Sequence, residues 1–396
     1  MLRFLTAGES HGPSLSVIVE GLPSGLAIGV YEIADELARR RLGYGRGPRM
    51  RFERDELRII GGVRHGRTLG SPVAVEILNS EWPKWEQEMS AAPGTPAQKQ
   101  TKPRPGHADL AGMQKYGFDD ARDVLERASA RETAARVVAG TLAKALLTSI
   151  GIAIVSHVIR IGEAATTSER RPMPGDLDAV DENEVRCFDP ASAEAMIVAI
   201  KAAAKVGDSL GGIVEVIAYG VPVGLGSHVQ WDRKLDGLLA GALMSIQAVK
   251  AVEIGDGFIQ ATQRGSVAHD AIAYDESFVQ GGGYIRRSDH AGGTEGGISS
   301  GAPIIAKAAM KPLSTLNRPV LETVDVVTHE TAISFKERTD VTAVPALGVV
   351  TEAMMALVLA DEALRKFGGD TVDEFTRNHA SYLANLGSTP SSAHPS

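Results

Sequence analysis

A chain of 396 residues with 43% hydrophobic and 23% charged side chains has the composition of a globular protein able to bury a large core. Its formal charge of −8 argues against general nucleic-acid binding, and its single cysteine, Cys187, excludes an internal disulfide and any cysteine-cluster metal site. No apolar run approaches the roughly 18 residues of a membrane helix, and "MLRFLTAGES" lacks the apolar stretch of a secretory signal, so a cytoplasmic location is expected.

The first motif in chain order is "AGESHG" (7–12). Its letters satisfy the G-x-S-x-G of a serine nucleophile elbow, which needs a strand before it and a helix straight after it. Here Pro13 and an alternating strand follow, so Ser10 reads as part of a loop between strands and His11 as the natural acid or base. The strand "SLSVIVEGLPSGL" (14–26) leads into a helical pattern, "YEIADELARRRLG", and then into a basic island. Between Arg39 and Arg58 lie eight arginines and no lysine. Arginine's planar fork binds phosphate or carboxylate through paired hydrogen bonds, so Arg46 and Arg49, in the glycine loop after the helix, point to an anionic ligand. A single-stranded nucleic-acid patch would need interleaved aromatics, and only Tyr44 and Phe52 are present.

Further on, "KPRPGHADLAGMQKYG" places His107 in a Pro- and Gly-rich loop with Asp109 nearby. The other histidines lack so consistent a setting, and none has metal-ligand spacing, so no metal is expected. In "LERASARETAAR", Ser129 and Glu132 have the spacing of a capping box ahead of a long helix over 130–150. A helix start favours anions, and Arg127, Arg131 and Arg136 add charge there. Ala134, Val137, Val138, Ala139 and Leu142 mark one apolar face of that helix. The polar stretch around 163–190 reads as a surface excursion.

The second half repeats the first. "GGIVEVIAYGVPVGL" (211–225) echoes 14–26, and "GISSGAPIIAKA" (297–308) echoes "GRTLGSPVAVEI" (66–77), in the same order. A helical pattern over "LDGLLAGALMSIQAVKAV" lies between them. Each half reads strand, helix, hairpin, with the alternation of antiparallel sheets. "GGTEGG" (292–297) and "KPLST" (311–315) suit phosphate binding, each weakly on its own. "FKERTDVTAVPALG" brings Arg338 and Asp340 to the approach of a last helix, with Pro345 in its first turn and Gly368-Gly369 at its end. These elements predict an α+β layered fold with a pseudo-twofold internal repeat (about 10–80 and 205–310), one unit over 1–368, and a segment 369–396 whose tail is expected to be disordered.

Taken together, "GESHG", "RRRLGYGRGPRM", "RPGHAD", "YGFDDARDVLERASARETAARV", "GDSLGG", "SIQAVKAVEIGDGF", "GGTEGG", "MKPLST" and "RTDVTAVPALGVVTEAM" resemble, in order, the blocks of the chorismate synthase family. The resemblance implies a β-α-β sandwich and a homotetramer. It implies the last step of the shikimate pathway, the 1,4-anti elimination of phosphate from 5-enolpyruvylshikimate-3-phosphate, with reduced FMN required but no net redox change. Carried over to this sequence, it makes His11 the group that assists phosphate departure and sets His107 beside the flavin. Asp340 becomes a proton relay, and Ser10 and Ser129 members of the same proton network. Arg40, Arg46, Arg49, Arg131 and Arg338 would bind the substrate's phosphate and carboxylates, with Arg40 and Arg46 also open to the phosphates of NADPH. Flavin contacts would come from Arg127, Ala128, Ser129, Gln247, Ala248, Gly296, Lys311, Pro312, Leu313, Ser314, Thr315 and Arg338. The chain carries no appended reductase domain, so an external flavin reductase is the expected partner.

Overall fold

A computed structural model of the chain describes residues 1–46, 56–335 and 339–386. Arg49, Arg338 and the tail from residue 387, which the sequence marks as disordered, lie outside the described residues. The N-terminal strands β1 (Arg3–Ala7) and β2 (Ser14–Glu20) pair antiparallel, and β2 alternates as its sequence demands, with Leu15, Val17 and Val19 buried. After α1 (Val30–Arg41), whose Ile33 and Leu37 point inward, β3 (Leu57–Gly61) and β4 (Val73–Leu78) complete a sheet of order β1-β2-β4-β3. Short helices α2 (Asp109–Tyr116) and α3 (Arg122–Ala128) precede α4 (Thr133–Thr148). Next come β5 (Ala153–Ile161), β6 (Ala164–Ala165), α5 (Pro190–Val206) and β7 (Gly212–Tyr219). Helix α6 (Leu235–Met244), β8 (Val249–Ile254) and β9 (Ile304–Met310) finish a second sheet, of order β8-β9-β7-β5-β6.

Strand for strand, β1-β2-β4-β3 corresponds to β5-β7-β9-β8. The repeated sequence segments lie on the central antiparallel pairs, β2 with β4 and β7 with β9. Each half is followed by a long helix, α4 and then α7 (Val344–Phe367), and these two pack on each other between the sheets. One hydrophobic core runs from Leu15 and Val75 through Val138 and Val350 to Val214 and Ala306.

This middle-layer position corrects several expectations. Helix α4 is apolar on more than one face, because it meets a sheet on one side and α7 on the other. Helix α7 is long and apolar enough to span a bilayer, a segment the sequence reading passed over, yet 89% of its most apolar window is buried inside the sandwich. The pattern predicted as one helix over 235–252 ends at Met244. Ala248 takes a left-handed φ of 66°, and Val249–Ile254 then pairs with β9 as a strand. The surface excursion holds only in its first part, since Val180, Val185, Arg186 and Cys187 are buried. A further helix, α8 (Val372–Asn385), was not predicted. Its signal was present in Thr371 and Glu374, which form a reciprocal capping box, and Phe375 packs on Phe367.

The least expected feature is a charge at the centre of the helical layer. Glu352, in the middle of α7, is fully buried. It accepts hydrogen bonds from Arg39 (2.8 and 3.1 Å), Lys144 (2.7 Å), Arg186 (3.2 Å) and the Ser156 hydroxyl (2.6 Å). Burial alone would push its carboxyl up, but the three cations hold it well below the usual carboxylate range. The folded value is therefore the depressed one, and the stabilisation is present at neutral pH and lost as pH falls through it. Glu352→Ala, which removes the carboxylate that three cations share and leaves them only Glu36 and Asp181 as acidic partners among the described residues, is expected to cost about 3–5 kcal/mol in denaturant unfolding.

Helices α4 and α7 approach most closely at Gly140, where an added Cβ would lie 2.3 Å from the Cβ of Ala353. Gly140→Ala gains about 1 kcal/mol of helix propensity, but no backbone can absorb that overlap without moving. The expected net result is a loss of about 1–3 kcal/mol, read as a lower denaturation midpoint; a raised midpoint would contradict the packing described.

Candidate active site

The loop between β1 and β2 is anchored at both ends. Gly8 adopts φ +100°, where a side chain would put its Cβ 2.3 Å from the Ser14 carbonyl, so only glycine turns the chain here. The Ser10 amide donates to the Glu126 carbonyl (3.0 Å), and Asn79 Nδ2 donates to the Gly12 carbonyl (2.9 Å). Ser10 and His11 are thereby buried. The Ser129 hydroxyl donates to the Ser10 hydroxyl (3.1 Å), so serine meets serine rather than a histidine base.

His11 lies against α3. Its backbone amide donates to Glu126 Oε2 (2.8 Å), and its Nδ1 lies 2.9 and 3.0 Å from the two Glu126 oxygens. Arg122, one turn earlier on α3, bonds Glu126 Oε1 at 2.7 Å. Burial pushes the Glu126 carboxyl up, but the His11 contacts and Arg122 hold it below its ordinary value. The Trp85 ring covers both partners, 4.1 Å from the His11 ring centroid and 4.9 Å from the Arg122 guanidinium carbon.

His107 has a closely similar setting. Its Nδ1 bonds Asp109 Oδ1, Arg104 Nε bonds Asp109 Oδ2 at 2.8 Å, and the Arg104 guanidinium lies over the Phe335 ring at 5.0 Å. Asp109 is fully buried, which pushes its carboxyl up, yet His107 and Arg104 together hold it well below the carboxylate range. Arg104 also donates to Thr315 Oγ1 (3.0 Å), and Lys311 Nζ bonds the Gly106 carbonyl. The loop Lys311–Thr315 is therefore fastened to the His107 loop.

A chain of contacts joins the two histidine clusters. The predicted capping box is not formed. Ser129 caps a single 3-10 turn, Ala130–Glu132, through the Arg131 amide (3.3 Å). Glu132, in place of closing the box, accepts from Thr6 Oγ1 (2.8 Å), Arg136 Nε (2.8 Å) and Gln247 Nε2 (2.9 Å). Next to Gln247, the Ala248 carbonyl accepts from the Lys311 amide (3.0 Å). The path Ser10–Ser129, Glu132–Gln247, Ala248–Lys311–Gly106 thus links loop 8–12 of the first half to a segment of the second, and on to His107.

The arginines converge on the same region. Arg40, at the end of α1, is buried and its Nη1 lies 3.4 Å from Thr133 Oγ1 at the start of α4. Arg131 is buried, 3.5 Å from the Leu78 carbonyl. Arg46 Nε lies 3.1 Å from Asp340 Oδ2. That segment is tied to the Lys311–Thr315 loop, because Val341 bonds Gly45, Leu210 bonds Val341, and Ser209 bonds the Leu313 carbonyl (2.8 Å). Arg127 donates to the carbonyls of Gly8 (3.1 Å) and Thr6 (2.9 Å). Gly296 stands apart. With φ +59° it turns the hairpin Thr294–Ser299, which is held by Gly224, Leu225, Gly226, Leu235 and Arg286, and no contact among the described residues joins it to the histidine clusters.

Sequence reasoning missed Arg104, Arg122, Glu126, Glu132 and Trp85. Only the i, i+4 spacing of Arg122 and Glu126 on a helix signalled a pair. A cavity of about 450 Å³ on the outer face of the second sheet contains none of the candidate residues. Among its lining, His157, Arg171 and Glu215 are paired with one another and Lys307 with Glu253, so the chemistry is assigned to the histidine region.

Two carboxylate-backed histidines and a set of buried arginines bring together groups able to carry protons and to hold an anion. A family model described as chorismate synthase matches residues 2–364. The chorismate synthase of Salinispora tropica is 60% identical over 392 residues, covering 97% of this chain and 98% of its own, and that of Thermobifida fusca is 57% identical over 397 residues, covering 98% and 99%. A crystal structure of chorismate synthase superposes with a TM-score of 0.79 at 41% identity, covering 98% of this chain and 99% of its own. The chain belongs to the chorismate synthase family, the lyases that form chorismate at the last step of the shikimate pathway.

The depressed Asp109 and Glu126 carboxyls give the site an acid sensitivity of known sign. Their folded values lie below the unfolded ones, about 3.9 and 4.3, so their contribution is present above that range and lost as pH falls below it. Asp109→Asn is expected to lower the melting temperature at pH 7 and to flatten its fall below about pH 4, as scanning calorimetry across pH would show.

Proposed function

We propose that this chain converts 5-enolpyruvylshikimate-3-phosphate to chorismate by 1,4-anti elimination of phosphate, using reduced FMN without net redox change. The observation that carries the reading is the joining of two carboxylate-backed histidines, an arginine wall and the Lys311–Thr315 loop by one chain of contacts. The C–O bond to phosphate and a ring C–H bond break, a diene forms, and phosphate and a proton leave.

The site residues suit a flavin. Gln247 spends its amide N–H on the Glu132 carboxylate, which leaves its Oε1 as an acceptor that is buried with no hydrogen-bond partner among the described residues. The ring edge of a flavin offers N–H groups to such an acceptor. Ala248 holds a left-handed φ of 66° beside it, the kind of backbone strain that binding sites retain. Burial, with Lys250 nearby, lowers the Lys311 ammonium from its ordinary value, a penalty that a bound phosphate relieves. Gln247, Ala248, Arg127, Ala128, Ser129, Lys311–Thr315 and Arg338 would hold the cofactor, and Gly296 is included on the family resemblance alone. Bound and reduced, it supplies electron density to the allylic system as phosphate departs.

The chain's own groups orient and move charge. Arg40, Arg46, Arg49, Arg131 and Arg338 bind the phosphate and two carboxylates. His11 offers its Nε2 to the departing phosphate, and Ser10 and Ser129 share that proton network. His107, held by Asp109, stands at the flavin side of the site. Asp340, an ion pair with Arg46 at 3.1 Å, relays the proton lost from the ring. Arg40 and Arg46 also suit the phosphates of NADPH, although the reductant is read as an external flavin reductase. A homotetramer, a cytoplasmic location and a quasi-twofold relation of the two halves complete this reading. The matching strand orders of the two sheets support the last of these.

The test is an anaerobic assay with purified protein, 5-enolpyruvylshikimate-3-phosphate and dithionite-reduced FMN, following chorismate by absorbance. Chorismate is expected only with reduced flavin; none from folded protein would overturn the reading. His11→Ala and His107→Ala are each expected to lower turnover about 10²- to 10⁴-fold with unchanged circular dichroism, and wild-type turnover in either removes that residue from the chemistry.

A further inference from the structure

We infer that Glu126 is the positioning residue for His11, fixing the orientation of the ring and which ring nitrogen works; this rests on the reading of His11 as the acid for phosphate departure. An ionised carboxylate only accepts hydrogen bonds, and both Glu126 oxygens lie within 3.0 Å of His11 Nδ1. The hydrogen of the neutral ring is therefore on Nδ1. Nε2 is left as the atom that gains and loses the proton, and no described residue bonds it. The His11 amide on Glu126 Oε2 (2.8 Å) and the Ser10 amide on the Glu126 carbonyl (3.0 Å) bind the loop to the same residue. Ring position and ring tautomer thus have one source.

The charge balance is local and asymmetric. Arg122, on Glu126 Oε1 at 2.7 Å, neutralises part of the carboxylate, and it rests on the Trp85 ring that also covers His11. The other charges around the loop are Glu9 within it, Glu81 in the segment after Asn79, Arg127 on the Gly8 carbonyl and Arg131 beyond Ser129. Glu126 is the one anion in direct contact with the imidazole among the described residues. Glu126→Gln removes that anion and leaves Arg122 as the nearest charge. The amide can also turn its NH₂ toward Nδ1, which would select the opposite tautomer.

The ring tautomer reports the outcome without substrate or flavin, through the nitrogen NMR shifts of His11 in histidine-labelled protein, assigned by their loss in His11→Ala. The wild-type ring is expected to carry its hydrogen on Nδ1, facing Glu126. Glu126→Gln should populate the opposite tautomer and cut kcat about 10- to 100-fold with KM little changed. Glu126→Asp, which keeps the carboxylate, should retain the Nδ1–H form and serves if the glutamine variant does not fold. A wild-type ring with its hydrogen on Nε2, or an unchanged tautomer in Glu126→Gln, overturns the positioning role. Wild-type turnover in His11→Ala together with the expected change of tautomer would overturn the chemical reading of His11 and leave the positioning role standing.

Discussion

The helical layer depends on the Glu352 carboxylate. A buried anion there is favourable only while its cations are in place. Those cations and the Ser156 hydroxyl come from four separate parts of the chain: Arg39 of α1, Lys144 of α4, Ser156 of β5 and Arg186 of the segment before α5. Fixing Arg39 fixes the last turn of α1, which places Arg40 against the start of α4 and sends the chain into Tyr44–Arg46. Asp181 takes part as well, bonding both Arg39 (2.6 Å) and Arg186 (2.7 Å). The polar stretch 163–190 thus helps to set the arginines of the candidate site, although it is far from them in sequence.

The site forms where the two halves of the sandwich meet. The first half contributes His11 in its first loop, and the segment 104–136 that follows it adds His107 and the turn into α4. The second contributes Gln247–Ala248 and the Lys311–Thr315 loop, and the approach to α7 adds Asp340. Each histidine follows the same construction, with a carboxylate on Nδ1, an arginine on that carboxylate and an aromatic ring under the arginine. Such a stack excludes water from the carboxylate and raises the strength of its contacts. It also leaves each imidazole little freedom to rotate.

Much of this was legible in the sequence because it rests on local patterns. The alternation in 14–20 and 212–219, and Pro345 with Gly368-Gly369, report on neighbouring residues, and they gave the central strands and the bounds of α7. His11 and His107 stood out by their glycine loops. What escaped depends on contacts distant in sequence. Glu352 reads as one acid in an apolar helix until Arg39, Lys144 and Arg186 are seen around it. Glu132 has the letter of a capping box, but its carboxylate is taken by Thr6, Arg136 and Gln247. Val249 and Val252 were read as helix because the left-handed Ala248 that turns the chain into β8 is not the glycine such a turn usually announces.

A structure of the enzyme with 5-enolpyruvylshikimate-3-phosphate and FMN bound tests the central claim most directly, because the claim is a location. The account predicts the phosphate against His11 Nε2 and the buried arginines, with the flavin edge on Gln247 and His107 beside it. Substrate bound elsewhere, for instance in the outer-sheet cavity lined by His157, Arg171 and Lys307, would contradict it.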